Sequence, residues 1–142
     1  MAVSTNTLLN RLRGGKDFQH FAQENENNFQ KCSLPFYLNQ LCEVRSLLPS
    51  EVIRRAQIER TYGHQIFNGT RVPSRDKLIQ IALGFGLSLE ETQTLLRIAQ
   101  RSMLYVKIER DAACMFGILH GMNVMEVQDL LESLNLCMLG EN

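Results

Sequence analysis

The sequence predicts an all-α fold, and three observations carry that prediction. Apolar residues recur at helical spacing along most of the chain, with little period-two alternation and no hairpin signal between β-rich runs. Polar residues that suit helix N-caps stand just before the apolar runs. Glycines stand just after several of them, where a left-handed residue ends a helix.

The elements follow in order. A short helix is expected over Thr7 to Arg13, stopped at Gly14-Gly15. Asp17 caps a second, FQHFAQENENNF, with Phe18, Phe21 and Ala22 on one side and a polar end, QENENN. Ser33 precedes LPFYLNQLCEVRSLL, where Leu34, Leu38 and Leu41 follow helical steps and Pro35 suits the first turn. Leu48-Pro49 opens PSEVIRRAQ, with Val52, Ile53 and Ala56 facing one way and Arg54 and Arg55 the other. Gln57-Ile58 is a tight turn, Glu59 starts RTYGHQIFN, and Gly69 ends it. TRVP is a loop. Ser74 caps RDKLIQIALGF, whose stripe is Leu78, Ile81, Ala82 and Phe85; Gly86 ends it, and Ser88 with Glu91 forms a capping box for LEETQTLLRIAQ.

The last of these pairs recurs. A shift of 35 residues lays Arg75-Asp76 on Arg110-Asp111, Gly86 on Gly121, Ser88 on Asn123, Glu91 on Glu126, Gln93 on Gln128 and Leu95-Leu96 on Leu130-Leu131. Both units read as helix, glycine turn, capped helix, so a second helical hairpin packs on the first. Two copies are too few for a solenoid.

Composition narrows the function classes. The chain has 142 residues, 44% of them hydrophobic, which suggests one domain or a small domain with additions. No apolar run approaches the roughly 20 residues of a membrane helix, and the polar start MAVSTNTLLNRLRGGKD has no signal-peptide core, so a cytoplasmic protein is expected. Cys32, Cys42, Cys114 and Cys137 have no CxxC spacing, and His20, His64 and His120 no matching pattern; no metal or cofactor is expected, and Cys42 and Cys114 read as small core hydrophobes. Met115, Met122 and Met125 read as core or contact surface. Neither a phosphate loop nor a Ser/His/Asp or Cys/His arrangement is present, so no enzyme is expected. Net charge is zero but uneven: residues 45–77 hold seven basic and three acidic side chains, residues 78–142 four basic and eight acidic. Such asymmetry fits a local polyanion-binding face or an ordinary solvated surface.

The constellation of interest is IERTYGHQIFNG, 58–69. Ile58, Gly63, Ile66 and Phe67 share one helix side and must lie on Val52, Ile53 and Ala56; Gly63 falls where the two helices approach most closely. Arg60, Thr61, His64, Gln65 and Asn68 share the other side. Arginine to guanine, or glutamine or asparagine to adenine, discriminates base pairs by roughly 1–3 kcal/mol each.

The run SEVIRRAQIERTYGHQIFNGTRVPSRDKLIQIALGFGLSLEE resembles the XRE family of helix-turn-helix regulators, the Cro and lambda-repressor type, over about residues 36 to 99. The resemblance implies a lambda-repressor-like helix-turn-helix bundle of five helices, with short N-terminal helices and a C-terminal helical hairpin extension. The implied division is an N-terminal extension at 1–33, the DNA-binding domain at 34–100 and the hairpin at 101–142. It implies base contacts from Arg60, Thr61 and Gln65, with Tyr62 and His64 beside them. Phosphate contacts would come from Asn68, Arg71, Arg75 and the start of the 49–57 helix, and Arg54 and Arg55 are either backbone contacts or plain surface. Six positions depart from the family pattern. Leu48-Pro49 replaces Thr or Ser followed by Gln, Gln57 replaces the turn glycine, and Gly63 an aliphatic residue. An apolar Cys42–Phe67 contact replaces an ion pair.

Two functions follow as expectations. The first is a sequence-specific double-stranded DNA-binding transcriptional regulator, acting as a homodimer whose recognition helices lie about 34 Å apart. The second is a protein-interaction or adaptor module on an XRE-like scaffold. In either, the acidic hairpin at 101–142 is a candidate dimer or partner surface, or it packs on the core. The discriminating feature is whether Arg54, Arg60, Arg71 and Arg75 share a face.

Overall fold

A computed structural model of the chain describes residues 3–26 and 33–140. These residues form nine α-helices and no strand, and none of the helices is long and apolar enough to cross a membrane. Cys32 and the end of the QENENN stretch lie outside the described residues. The chain divides into two compact units between residues 31 and 32.

The first unit holds α1 (Thr5–Gly14) and α2 (Phe18–Glu24). Ser4 caps α1 by accepting from the Thr7 N–H, so the helix starts two residues earlier than the apolar pattern alone predicts. Asp17 caps α2 as expected. Arg11 donates to the buried Asn25 side chain at 2.7 Å.

The second unit holds α3 (Leu34–Arg45), α4 (Pro49–Arg55), α5 (Arg60–Asn68), α6 (Arg75–Phe85), α7 (Leu89–Ile98), α8 (Glu109–Leu119) and α9 (Val124–Ser133). The expected caps are in place. Ser33 and Ser74 accept from the third N–H along, and Ser88/Glu91 and Asn123/Glu126 form reciprocal capping boxes. Leu48, at the start of α4, has no side-chain acceptor, and only Glu51 reaches back, to the Leu48 N–H at 3.4 Å.

Helix α6 is central: it packs on α4, α7, α8 and α9. The apolar stripe expected from sequence therefore widens to the whole helix beyond its first turn, and every residue from Leu78 to Phe85 is buried. Gly84 permits this. A Cβ there would lie 2.9 Å from both the Val52 carbonyl oxygen and the Ala56 nitrogen, so α4 and α6 meet backbone to backbone. Gln80, buried beside it, donates to the Ala56 carbonyl at 2.9 Å and closes the end of α4.

The 35-residue repeat holds bond by bond. Gln93 embraces the Leu104 backbone, donating to its carbonyl at 2.9 Å and accepting from its N–H at 2.8 Å; Gln128 does the same to Leu139 at 2.9 and 2.7 Å. Gly86 and Gly121 both end their helices in left-handed turns, as do Gln100 and Asn135. The Arg-Asp dipeptides then join the two repeats, both within the second unit, reciprocally. Arg75 grips Asp111 with two bonds, at 2.9 and 2.8 Å, and Arg110 grips Asp76 with two, at 3.0 and 2.9 Å. Each arginine also donates to two carbonyls closing its own repeat, Ser102 and Met103 or Cys137 and Met138. Each aspartate accepts one more N–H, from Tyr105 or Gly140. This reciprocity is that of a twofold dimer written within one chain.

The clasp joins the N-terminal ends of α6 and α8, and the turns at their other ends line a shared cavity of about 240 Å³ through Gly86, Leu87, Gly121 and Met122. The two helices therefore run side by side in one direction. Their first-turn aspartates offset the aligned N-terminal dipole ends. Burial pushes both carboxyls up, but the facing guanidinium and backbone N–H hold each below the ordinary carboxylate value. The apolar side of the hairpin packs inward: Cys114, Val124, Val127 and Leu131 are fully or almost fully buried. Burial raises the Cys114 thiol to about 11, which leaves it an inert core residue.

Candidate nucleic-acid interface

The α4–α5 connection is built from its backbone outward. Ala56 caps α4, Gln57 takes the left-handed conformation at φ 57°, and Ile58 follows it buried. The Ile58 N–H donates to Ile53 and the Gln57 N–H to Arg54, which is the Schellman pattern with its apolar contact. The turn needs a left-handed residue, and here it is glutamine where the resemblance expects glycine. Glu59 then caps α5, accepting from Thr61 and Tyr62 at 3.0 and 2.8 Å. Those N–H groups hold the Glu59 carboxyl below its ordinary value.

The close approach inferred for Gly63 is present. A Cβ there would overlap Ile53, with Cγ2 nearest and Cγ1 at 2.8 Å. Ile53, Ile66 and Phe67 are buried behind it. Cys42 and Phe67 both sit in this core, and the Phe67 and Phe85 rings lie 6.3 Å apart. With Gly63 pressed inward, the opposite side of α5 must face out. Arg60, Thr61 and Asn68 are exposed, and Tyr62, His64 and Gln65 are half-buried.

The ten site residues do not form one set. Arg54 and Arg60 share a shallow depression of about 450 Å³ with Ser50, Glu51, Ile53 and Ile58. Neither is in an ion pair among the described residues. Arg71 is braced onto α5: its Nε donates to Gln65 Oε1 at 3.1 Å, its N–H to the Gln65 carbonyl, and its guanidinium lies 5.3 Å from the centre of the Tyr62 ring. Asn68 Oδ1 accepts from the Thr70 N–H and sets the loop. Arg55 lines the cavity between the α6–α7 and α8–α9 turns and lies 4.0 Å from Glu51, which also lines the Arg54–Arg60 depression. Arg75, expected at phosphate, spends four donated bonds on the clasp and is withdrawn from this surface. Glu59, which sequence reasoning passed over as a mere helix start, places a carboxylate beside the cations. Its position just before the helix was the available signal.

His64 has no bonded partner among the described residues, His20 pairs with Glu24 at 2.9 Å, and the His120 ring lies 4.1 Å from that of Phe116. Among the described residues no group of three His, Cys, Asp or Glu side chains is placed to hold a metal. Comparison of the chain with protein-family models, with curated proteins and with solved structures found no match.

Proposed function

We propose that the chain is a sequence-specific double-stranded DNA-binding regulator of transcription, with α3 to α7 as a lambda-repressor-like helix-turn-helix frame and α5 as the helix that enters the major groove. One observation carries the reading. Gly63 pressed on Ile53 turns a polar helix side outward, flanked at one end by Arg54, in no ion pair among the described residues, and by Arg71 at the other. Arg60, Thr61 and Gln65 then read base edges, with His64 beside them. Arg54, Arg71 and Asn68 hold the backbone, and Tyr62 carries Arg71. Two copies on a near-palindromic site would set two α5 helices about 34 Å apart.

The adaptor reading rests on a different observation: Glu51 and Glu59 stand beside Arg54 and Arg60, and Arg75 is held in the clasp. A mixed-charge surface suits a protein partner better than a phosphate backbone. Salt separates the two. Binding to duplex DNA is expected to weaken steeply with salt, and Arg71→Ala to lower the log–log slope by about one. Binding that is absent at low salt, or a slope that Arg71→Ala leaves unchanged, favours the adaptor.

A further inference from the structure

Beyond α5 the chain folds back on the helix it has just left. Gly69 ends α5 in the left-handed conformation at φ 88°, and Asn68 Oδ1 accepts from the Thr70 N–H at 2.9 Å. The turn lays Arg71 along α5. Its N–H donates to the Gln65 carbonyl at 3.1 Å, its Nε donates to Gln65 Oε1 at 3.1 Å, and its guanidinium stands 5.3 Å from the centre of the Tyr62 ring. Tyr62 and Gln65 are three residues apart on the helix, so one guanidinium meets both.

A guanidinium carries donors only, so the amide meets it one way round, oxygen toward Arg71 and nitrogen away. Gln65 Nε2 and the two terminal nitrogens of Arg71 have no bonded partner among the described residues. The open end of the pair is therefore made of N–H groups. A glutamine that takes adenine with both amide atoms needs its oxygen for the N6 amino group. Here the oxygen already accepts from a cation, and its remaining lone pair would receive adenine's amino hydrogens beside a group of like polarity. Guanine sets two acceptors, N7 and O6, in the same place and no donor.

We propose that Arg71 positions the Gln65 amide so that Gln65 selects guanine over adenine, which makes Arg71 a determinant of sequence preference as well as a phosphate contact. This rests on the DNA-binding reading above and names the base that Gln65 takes. The adenine pairing open to a free glutamine is given up because the loop after α5 fixes which end of the amide faces out.

Two measurements on the full chain test it. In the free, isotopically labelled protein, the Arg71 Nε–H is expected to exchange with water severalfold more slowly than in Gln65→Ala. Equal exchange would mean that the brace is not formed in solution, and would overturn the proposal whatever the chain does with DNA. Randomised duplex DNA is then selected by the unmutated chain, Gln65→Ala, Arg71→Ala and Gln65→Glu. The position whose preference disappears in Gln65→Ala is expected to carry guanine over adenine by about fivefold or more in the unmutated chain. Arg71→Ala frees the amide to turn, and is expected to shift that one position toward adenine while the rest of the motif stays. Gln65→Glu keeps an oxygen for Arg71 but makes the open end an acceptor, so the choice should move to a base with an amino group, cytosine or adenine. Adenine at this position in the unmutated chain, or Arg71→Ala weakening all sequences evenly with preferences intact, would overturn the proposal and leave base reading by α5 standing. No enriched motif from the unmutated chain would overturn both.

Discussion

The units 75–105 and 110–140 share capping boxes, left-handed turns, glutamine–backbone embraces and both halves of the arginine–aspartate clasp, yet α6 is buried on nearly every side while α8 keeps Phe116 and Leu119 in water. Local chemistry makes the hairpins alike; the neighbour makes them differ. Gly84 admits α4 against α6, whereas α8 carries Leu119, 65% exposed, at the matching place.

Breaking the shared part should cost most. Arg75→Ala and Arg110→Ala each leave a buried aspartate unpaired, and each is expected to lower stability by about 3 kcal/mol, the low end for a broken buried pair. That end applies because the arginine side chains remain 24% and 22% exposed. Chemical denaturation should find the two losses nearly equal; a large inequality would break the equivalence of the units. The unlike part comes next. Gly84→Ala is expected to cost about 1–3 kcal/mol by overpacking against α4. Its counterpart Leu119→Ala should stay within about 0.5 kcal/mol, and thermal melting of both variants reads the contrast.

Acid should act on both units together. The Asp76 and Asp111 carboxyls sit below their ordinary value of 3.8 in the folded chain. Their contribution is complete above that value and is lost as pH falls below it toward the depressed folded values. Denaturant midpoints measured from neutral pH down to strong acid should fall in that window, and less so in Asp76→Asn/Asp111→Asn. The smallest effect belongs to the α4–α5 turn, where Gln57→Gly should stabilise by less than about 1 kcal/mol by removing left-handed strain from a side-chain-bearing residue.

Much of the fold was legible because it is local. Ser74, the Ser88–Glu91 box and Asn123–Glu126 act within one helix turn, and Gly63 lies on the apolar side of its own helix. The clasp was not legible because its partners are 34 and 36 residues apart. Its signal was nonetheless present: an Arg-Asp pair repeated at one spacing is self-complementary under a twofold. The site was legible in part for the same reason. The outward side of α5 follows from helical spacing. The withdrawal of Arg75, the lining of separate cavities by Arg54 and Arg55, and the bracing of Arg71 on Gln65 and Tyr62 depend on where other elements come to rest.

The most direct measurement is selection of randomised duplex DNA by the purified chain, sequenced beside an Arg60→Ala/Gln65→Ala variant. Base reading by α5 predicts an enriched motif, related by a twofold if two copies bind, that the variant no longer selects. No enrichment, or the same motif from the variant, would contradict it.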